Sequence, residues 1–558
     1  MVRRVLEAVY REIRGLHEAA YILAAFAFGS QLLALVRDRL IAHEFGAGMT
    51  LDIYYAAFRI PDLLFVLFAS VLSVYVLIPF VADRLLTSAE RARELISAVF
   101  TWFLCAYAIA AALLFVCADA LASFSFPGFS ATEHELLVLV MRILLLQPFF
   151  LSVSSLLGVV TQLHRKFVLY AISPLLYNVG IIIGIVAFYP LWDLPGLALG
   201  VVIGAVLHAL VQIPFVSYSG LFPRLMVTVD GALLKRIVRT SLPRALTLAL
   251  HQFVLLALTG LATLMATGSV AVLQFAYNLQ SVPLAIIGVS YSVAAFPTLA
   301  RLFSDGDEAA FREHVYTALR HIIFWSIPAI GLIVVIRAQL VRVILGTGAF
   351  DWDDTRLVAA ALALFVCSLA AQGIHLLVVR AFYAGGDTRT PLIVTLISSC
   401  AMVGTAGVLY VLYSEIPAFA HTLQHVFRVE HVIGTEVLVL PLSFSLVFLA
   451  HSIVLLALFV RQYDGAFSAR LGGVLVRAVG AAVVAGAASY AALNVLVDGF
   501  RVDTFMGIFM QGFIAGIIGI VAGALFLASA RSPELAEVSV SLKRRMWTSR
   551  PIVPQETE

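Results

Sequence analysis

The chain has 558 residues, of which 62% are hydrophobic and only 12% charged, and its mean hydropathy is +1.02. Soluble domains carry about 25% charged residues, so the composition excludes a soluble protein and points to a polytopic membrane protein. A net charge of +3 gives no signal for nucleic acid; in such a chain the location of the positive charges is what informs.

Residues 1–20 are charged and helix-forming, and read as a cytoplasmic amphipathic lead-in. No small-residue cleavage site follows the first apolar stretch, so no cleavable signal peptide is expected. A spanning helix needs about 20 mostly apolar residues. The first six candidates are 21–45, 53–82, 95–123, 135–161, 168–190 and 195–218. The next six are 241–267, 270–303, 314–338, 355–383, 389–413 and 435–461, and the last two are 472–496 and 505–530. The expected fold is therefore all-α, with about 14 transmembrane helices.

The connecting segments alternate in charge. One side carries Arg3, Arg4, Arg11 and Arg14, then Arg84, Arg91 and Arg93, then His164-Arg-Lys166. The same side holds the Arg224–Arg244 stretch, Arg301, Arg312, Arg389, the Arg461–Arg470 loop and Lys543-Arg-Arg545. Opposite loops such as Ser123–Glu133 and Tyr189–Leu194 have almost no Lys or Arg. The basic side is cytoplasmic by the positive-inside rule, which puts both termini inside.

An internal repeat organises the spans. Ser73 leads to Pro79-Phe-Val-Ala82, and Tyr291 leads to Pro297-Thr-Leu-Ala300; Ser173-Pro174 matches Thr390-Pro391 at nearly the same offset. Two copies of six helices share one orientation, a parallel repeat of the kind that rocks about a central cavity. The expected domains are an N-lobe at 21–218, a cytoplasmic linker at 219–240 and a C-lobe at 241–461. Two extra helices at 472–530 form an appendage, and 531–558 a cytoplasmic tail.

Charges inside this apolar frame mark the candidate site. Arg37, Asp38, Arg39, Asp52, Arg59 and Asp62 lie in or beside the first two spans, where an ionisable side chain is costly unless it faces protein or water. Arg37 and Asp38 point about 100° apart on a helix, so they are expected to find partners on other helices rather than simply pair with each other. Arg37 either lines a cavity, where its planar fork can hold a phosphate bidentately, or snorkels to the interface. The roughly 15 Å of helix between it and the turn at Gly46 disfavours snorkelling. Arg59 and Asp62 flank Ile60-Pro61, which predicts a kinked helix with freed carbonyls at a gate or substrate site; an ordinary interhelical salt bridge is the alternative. Gln274, Tyr277, Asn278, Gln280 and Ser281 precede Pro283 in the eighth span. They either complete the cavity wall opposite Arg59 or make ordinary interhelical hydrogen bonds.

Other polar residues read as structural: Arg142, Gln147, His208, His251 and His375 within spans, and the tight turn at Gly385-Gly386-Asp387. The four cysteines (Cys105, Cys117, Cys367, Cys400) sit in apolar segments without metal spacing. His421, His425 and His431 lack dense ligand spacing, so no metal or cofactor is expected. No phosphate-binding glycine loop and no clustered catalytic groups are present. The chain reads as a transporter, not an enzyme, driven by the membrane potential, an ion gradient or the substrate gradient.

Several segments resemble the MviN/MurJ family of lipid II flippases, within the multidrug/oligosaccharidyl-lipid/polysaccharide exporter superfamily. They are Val36-Arg-Asp-Arg-Leu-Ile-Ala42, Phe45-Gly-Ala-Gly48 with Asp52, and Ala57-Phe-Arg-Ile-Pro-Asp-Leu-Leu64. Further on come Ser173-Pro-Leu-Leu-Tyr-Asn178, Gly348-Ala-Phe350 with Asp354-Thr355, and Arg380-Ala-Phe-Tyr-Ala-Gly-Gly-Asp-Thr-Arg-Thr-Pro391. The resemblance implies two six-helix lobes plus two C-terminal helices that hold a lipid tail. It implies a central cationic cavity for the pyrophosphate of a polyprenyl-linked glycan, and alternating access from the cytoplasmic to the periplasmic leaflet. It also implies the cytoplasmic (inner) membrane of a bacterium, a role in peptidoglycan synthesis, and membrane lipids and cell-wall synthesis proteins as partners. The chain would act as a monomer.

The sequence departs from the family where the family keeps arginines. Gln31 stands where an Arg precedes the Arg-Asp pair, and Phe65 and Val66 stand where two Args follow the second-helix proline motif. Asp62 replaces the motif's Asn, Ser70-Val71 an acidic-glycine pair, and Tyr277-Asn278 an Asp-Arg pair. The substrate-binding candidates are Arg37, Asp38, Asp52, Arg59, Asp62, Asn278 and Gln31. The substrate is a lipid-linked glycan, with lipid II favoured. The alternatives are a same-fold exporter of another or less anionic substrate, and a non-transporting membrane scaffold.

Overall fold

The computed structural model describes residues 16–226, 231–463, 467–496, 499–500 and 504–547. Among the described residues the regular secondary structure is helical, with no strand. Most of the lead-in at 1–20 and the end of the tail lie outside them, as do residues 227–230 of the linker.

Long apolar runs become helices here because the bilayer offers the backbone no hydrogen-bond partners, so each segment must satisfy its own. Helix α1 spans Leu16–Phe45 and stops at Gly46, whose φ is +59°. Helix α2 (Met49–Val71) continues through Pro61, and the interruption falls beyond it, at Leu72 and Ser73. Extended backbone at Ser73 then opens α3 (Val74–Leu85), which contains Pro79.

Helices α4 (Leu146–Leu163), α5 (Phe167–Ile183) and α6 (Tyr189–Leu210) follow. The apolar stretch Phe167–Tyr218 is 52 residues long, about 78 Å if straight, far more than one bilayer crossing of about 30 Å. It folds back at Trp192 and Asp193, which leave helical geometry; Asp193 has φ +50°. A Cβ on Gly180 would lie 2.2 Å from the Cα of Gly204, and one on Gly200 would lie 2.3 Å from that of Gly184. Small residues on both arms let the backbones touch, the usual device of helix pairs in lipid.

Helix α7 (Gly231–Thr263) leads through a short turn to α8 (Ser269–Leu284), which ends in a wider π-turn at Ala285–Val289 just after Pro283. Helix α9 (Ser290–Ser304) contains Pro297. The matched prolines Pro79 and Pro297 therefore both lie in short helices entered through an irregular turn. Helix α10 (Glu308–Leu345) comes next, and later α11 (Phe467–Leu496), α12 (Phe505–Ser529) and α13 (Pro533–Trp547).

Eleven helices among the described residues are long and apolar enough to cross a membrane, or twelve if Trp352–Val366 and Leu369–Ala384, bent by 43°, form one span. The protein is an all-α integral membrane protein. The count falls short of fourteen partly because the expected spans 168–190 and 195–218 share one folded apolar stretch. The expected span 21–45, which carries Arg37, Asp38 and Arg39, is not among the eleven.

By packing, the chain divides into two compact units. The first comprises Met1–Asn278, Ile344–Ala361 and Thr388–Val447. Part of its interior is built from Leu72, Ile96, Phe103, Leu156 and Val160. The second comprises Leu279–Val343, Leu362–Asp387 and Phe448–Glu558. There α11 and α12 pack against α10: a Cβ on Gly331 would meet the carbonyl oxygen of Ala482 at 2.7 Å, and one on Gly512 the Cβ of Gln339 at 2.8 Å. Helix α13 is anchored by Glu534, which is 1% exposed, with Arg477 Nη2 at 3.2 Å and Arg320 Nε at 3.9 Å.

Candidate functional site

The polar residues of α1, α2 and α8 meet within the first unit. Arg37 donates from Nε and Nη2 to Oδ1 of Asp38, at 2.9 and 2.6 Å, and from Nη1 to Oδ1 of Asn178 on α5 at 3.0 Å. The two neighbours therefore do pair with each other, contrary to the expectation from helical geometry. The 100° separation applies to the Cβ directions, and the long Arg side chain bends across it. Each also finds the expected partner elsewhere: Asn278 of α8 donates to Oδ2 of Asp38 at 3.2 Å.

The chain of bonds continues along α8. Gln274 donates to Oδ1 of Asn278 at 2.6 Å and accepts from Nη2 of Arg59 at 2.7 Å. Arg59 also donates from Nε to Oγ1 of Thr259 on α7 at 2.8 Å, and is 6% exposed. One line of hydrogen bonds thus links Asn178, Arg37, Asp38, Asn278, Gln274, Arg59 and Thr259 across five helices. The i, i+4 spacing of Gln274 and Asn278 puts both on one face of α8. Asp62, one turn beyond Arg59, has Gln147 of α4 as its polar neighbour.

These residues enclose a cavity of about 140 Å³. Arg37, Asp38, Arg59 and Asp62 line it with Gln274 and Asn278, and Tyr54, Tyr55 and Tyr177 add aromatic walls. Its formal charge is zero, two arginines against two aspartates. Gln31 lies six residues before Arg37, half-buried, and does not line the cavity. Arg142 has not moved in to add charge, since it donates to the carbonyl of Phe115 at 3.2 Å and lies over that ring. Arg380 belongs to the second unit, where it hydrogen-bonds Ser292.

Asp52 has a different place. Its carboxylate accepts from the backbone N–H groups of Gly268 at 2.6 Å and Ala271 at 2.9 Å, closing the N-terminus of α8. Asp354 accepts from Ala47 N at 3.1 Å, and Glu436 from Ala266 N at 2.8 Å. Backbone closeness joins the same loops. Ala349 N donates to the carbonyl of His43 at 2.8 Å, and a Cβ on Gly268, at φ +91°, would lie 2.0 Å from the carbonyl oxygen of Ala47. Three carboxylates, one backbone hydrogen bond and the tight position at Gly268 thus tie four loops of the first unit together.

Sequence reasoning missed Thr259, which accepts from Arg59, and Tyr54, which lines the cavity. Thr259 sits in an apolar helix with no pattern around it. Tyr54 reads as an ordinary interfacial aromatic until α2 is packed. Among the described residues no cluster of three or more His, Cys, Asp or Glu is placed to hold a metal.

With this geometry in hand, comparison with known proteins decides the family. A sequence model of the family described as "Lipid II flippase MurJ" matches residues 41–510. The chain belongs to this family. It is 27% identical over 387 residues to the probable lipid II flippase MurJ of Rickettsia prowazekii, covering 69% of this chain and 76% of the relative. It is also 27% identical over 414 residues to the lipid II flippase MurJ of Burkholderia cenocepacia, covering 70% and 79%. Among solved structures it resembles a lipid II flippase MurJ in an inward closed conformation, with a TM-score of 0.69 at 18% identity, over 91% of this chain and 99% of the other. An inward-facing multidrug resistance MATE family transporter of the MOP superfamily aligns with a TM-score of 0.64 at 14% identity, over 78% and 94%. The family is one of membrane transporters, not enzymes. This MurJ-family chain keeps the fold while its cavity carries balanced charge.

Proposed function

We propose that the protein flips a polyprenyl-pyrophosphate-linked glycan, the peptidoglycan precursor lipid II, from the cytoplasmic to the periplasmic leaflet by alternating access. The observation that carries this reading is the cavity that gathers Arg37, Asp38, Arg59, Asp62 and Asn278 from three helices, in a chain of this family. Arg37 presents a planar donor fork suited to phosphate oxygens. An entering pyrophosphate would replace Asp38 at that fork, and Asn278 would hold the released carboxylate. Binding is then an exchange of anions rather than capture by a bare cation, which keeps the arginine satisfied when the cavity is empty.

The lobes of the reading are the repeats 21–218 and 241–461, rocking about the cavity, with 472–530 beside the lipid tail. Both termini are cytoplasmic, the membrane is the bacterial inner membrane, and the working unit is a monomer. Asp52, Asp354 and Glu436 hold loops that the charge pattern puts on the outer side, where they act as a seal rather than as ligands.

The decisive test is growth after depletion of the resident flippase: the wild-type chain restores it and Arg37→Ala does not. Good membrane expression without rescue would overturn the reading. The balanced cavity favours one alternative, export of a less anionic lipid-linked glycan by the same fold. Flipping of lipid II in vesicles by the purified protein decides between the two.

A further inference from the structure

A second cavity, of about 260 Å³, lies in the first unit beside the charged one. Tyr177 lines both. The walls of the second cavity come from α2 (Phe65), α4 (Ser154 and Ser155), α5 (Tyr170 and Tyr177) and α6 (His208). None of its lining residues is acidic, lysine or arginine. It sits where the sequence has Phe65 in place of a family arginine.

Its hydrogen bonding fixes what it can recognise. Ser154, 1% exposed, donates from Oγ to the carbonyl of His208 at 2.9 Å and accepts from Nε2 of Gln212 at 2.6 Å. The same Oγ lies 2.7 Å from His208 Nδ1; with its one proton given to the carbonyl, it accepts there from Nδ1–H. In that tautomer Nε2 keeps its lone pair as an acceptor, on a residue that lines the cavity. An acceptor at that point repels phosphate oxygens and receives hydroxyl or amide protons. Tyr170, packed 3.3 Å from where a Cβ on Gly158 would lie, and Phe65 and Tyr177 offer flat apolar faces.

We propose that this cavity is a subsite for an uncharged sugar ring of the transported lipid, next to the charged cavity that holds its pyrophosphate. The inference rests on the proposed function and adds the place of the sugar. Aromatic faces cover the ring's C–H surface, and His208 Nε2 accepts from a hydroxyl or N-acetyl N–H. The volume suits one monosaccharide and not a whole glycopeptide.

The test uses the full chain in lipid nanodiscs, with two ligands: a polyprenyl pyrophosphate alone, and the same lipid carrying an N-acetylated disaccharide. The wild type binds the glycosylated lipid more tightly. His208→Phe removes the acceptor, and Ser155→Leu fills the cavity without touching Ser154. Each variant weakens binding of the glycosylated lipid by about tenfold and leaves the bare pyrophosphate unchanged. Equal weakening of both ligands, or of neither, overturns the subsite. A wild type that binds the two lipids equally overturns the subsite while leaving the charged cavity's role intact. A wild type that binds neither overturns both.

Discussion

Arg37 and Asp38 are sequence neighbours that close on each other through two hydrogen bonds, at 2.9 and 2.6 Å, with 20% and 7% of their side chains exposed. The cation best placed to grip an anion is thus already held by an anion of the same helix. This sets the first prediction. Arg37→Ala leaves a buried carboxylate held by Asn278, and breaking such a pair costs about 3–5 kcal/mol. The variant should melt well below the wild type in detergent. Adding Asp38→Asn removes the orphaned charge and should restore most of the stability but none of the transport. Recovery of growth by the double variant would show that Arg37 is there for packing alone.

Arg59 and Gln274 give the second prediction. Their 2.7 Å bond joins α2 to α8, and a hydrogen bond to a charged group contributes about 1.5–3 kcal/mol. Gln274→Ala and Arg59→Lys should therefore be non-additive, with a coupling of about 1 kcal/mol or more in a double-mutant cycle. Thr259→Val serves as the control: it breaks the other bond of Arg59, and its cycle with Gln274→Ala should also depart from additivity, because both act through one guanidinium. Simple additivity in both cycles would mean that the line of bonds is not a unit.

Much of this was legible in the residues. Charges at 37, 38, 59 and 62 inside apolar helices announce a protected interior, and the structure puts all four on one cavity. The polar face of α8 was legible for the same reason, since Gln274 and Asn278 recur at helical spacing. Asp52 was grouped with them because sequence distance cannot tell a cavity carboxylate from a helix cap. Only the fold brings Gly268 and Ala271 to it from more than two hundred residues away. The Arg37–Asp38 pairing was missed because the helical wheel fixes Cβ directions and says nothing of a flexible side chain's reach. The pocket around His208 was invisible because its residues come from four helices, each with an ordinary packing explanation.

The tied loops of the first unit yield a third prediction. Gly268 has φ +91°, and an added Cβ would fall 2.0 Å from the backbone oxygen of Ala47; neither backbone can yield without separating the loops. Gly268→Ala should weaken the seal. In a background with the four cysteines replaced by serine, a single cysteine at Ala266 should react faster with a membrane-impermeant thiol reagent added from outside. Asp52→Asn should have a smaller effect in the same direction, since an amide oxygen can accept only part of the two backbone bonds. Unchanged labelling in both variants would remove these loops as a closure.

The last prediction concerns α13 and pH. Burial pushes the Glu534 carboxyl up, but the Ser532 hydroxyl at 2.6 Å and the guanidinium groups of Arg477 and Arg320 outweigh it and hold Glu534 below the usual glutamate range. A carboxylate depressed in the folded state stabilises docking above its unfolded pKa and loses that contribution as the pH falls through its folded pKa. Docking of α13 should accordingly be constant near neutrality and weaken only below the ordinary glutamate value of 4.5. Hydrogen exchange of residues 533–540 should rise over that window while α12 stays protected. Glu534→Gln should release the helix at neutral pH and flatten the response, because the half-buried guanidiniums lose their counter-charge. Glu537→Gln should change little: Glu537 is half-exposed and its pair with Arg320 is open to water. A helix that is released at neutral pH by Glu537→Gln, and not by Glu534→Gln, would place the anchor on the solvent side and leave the buried carboxylate without a role.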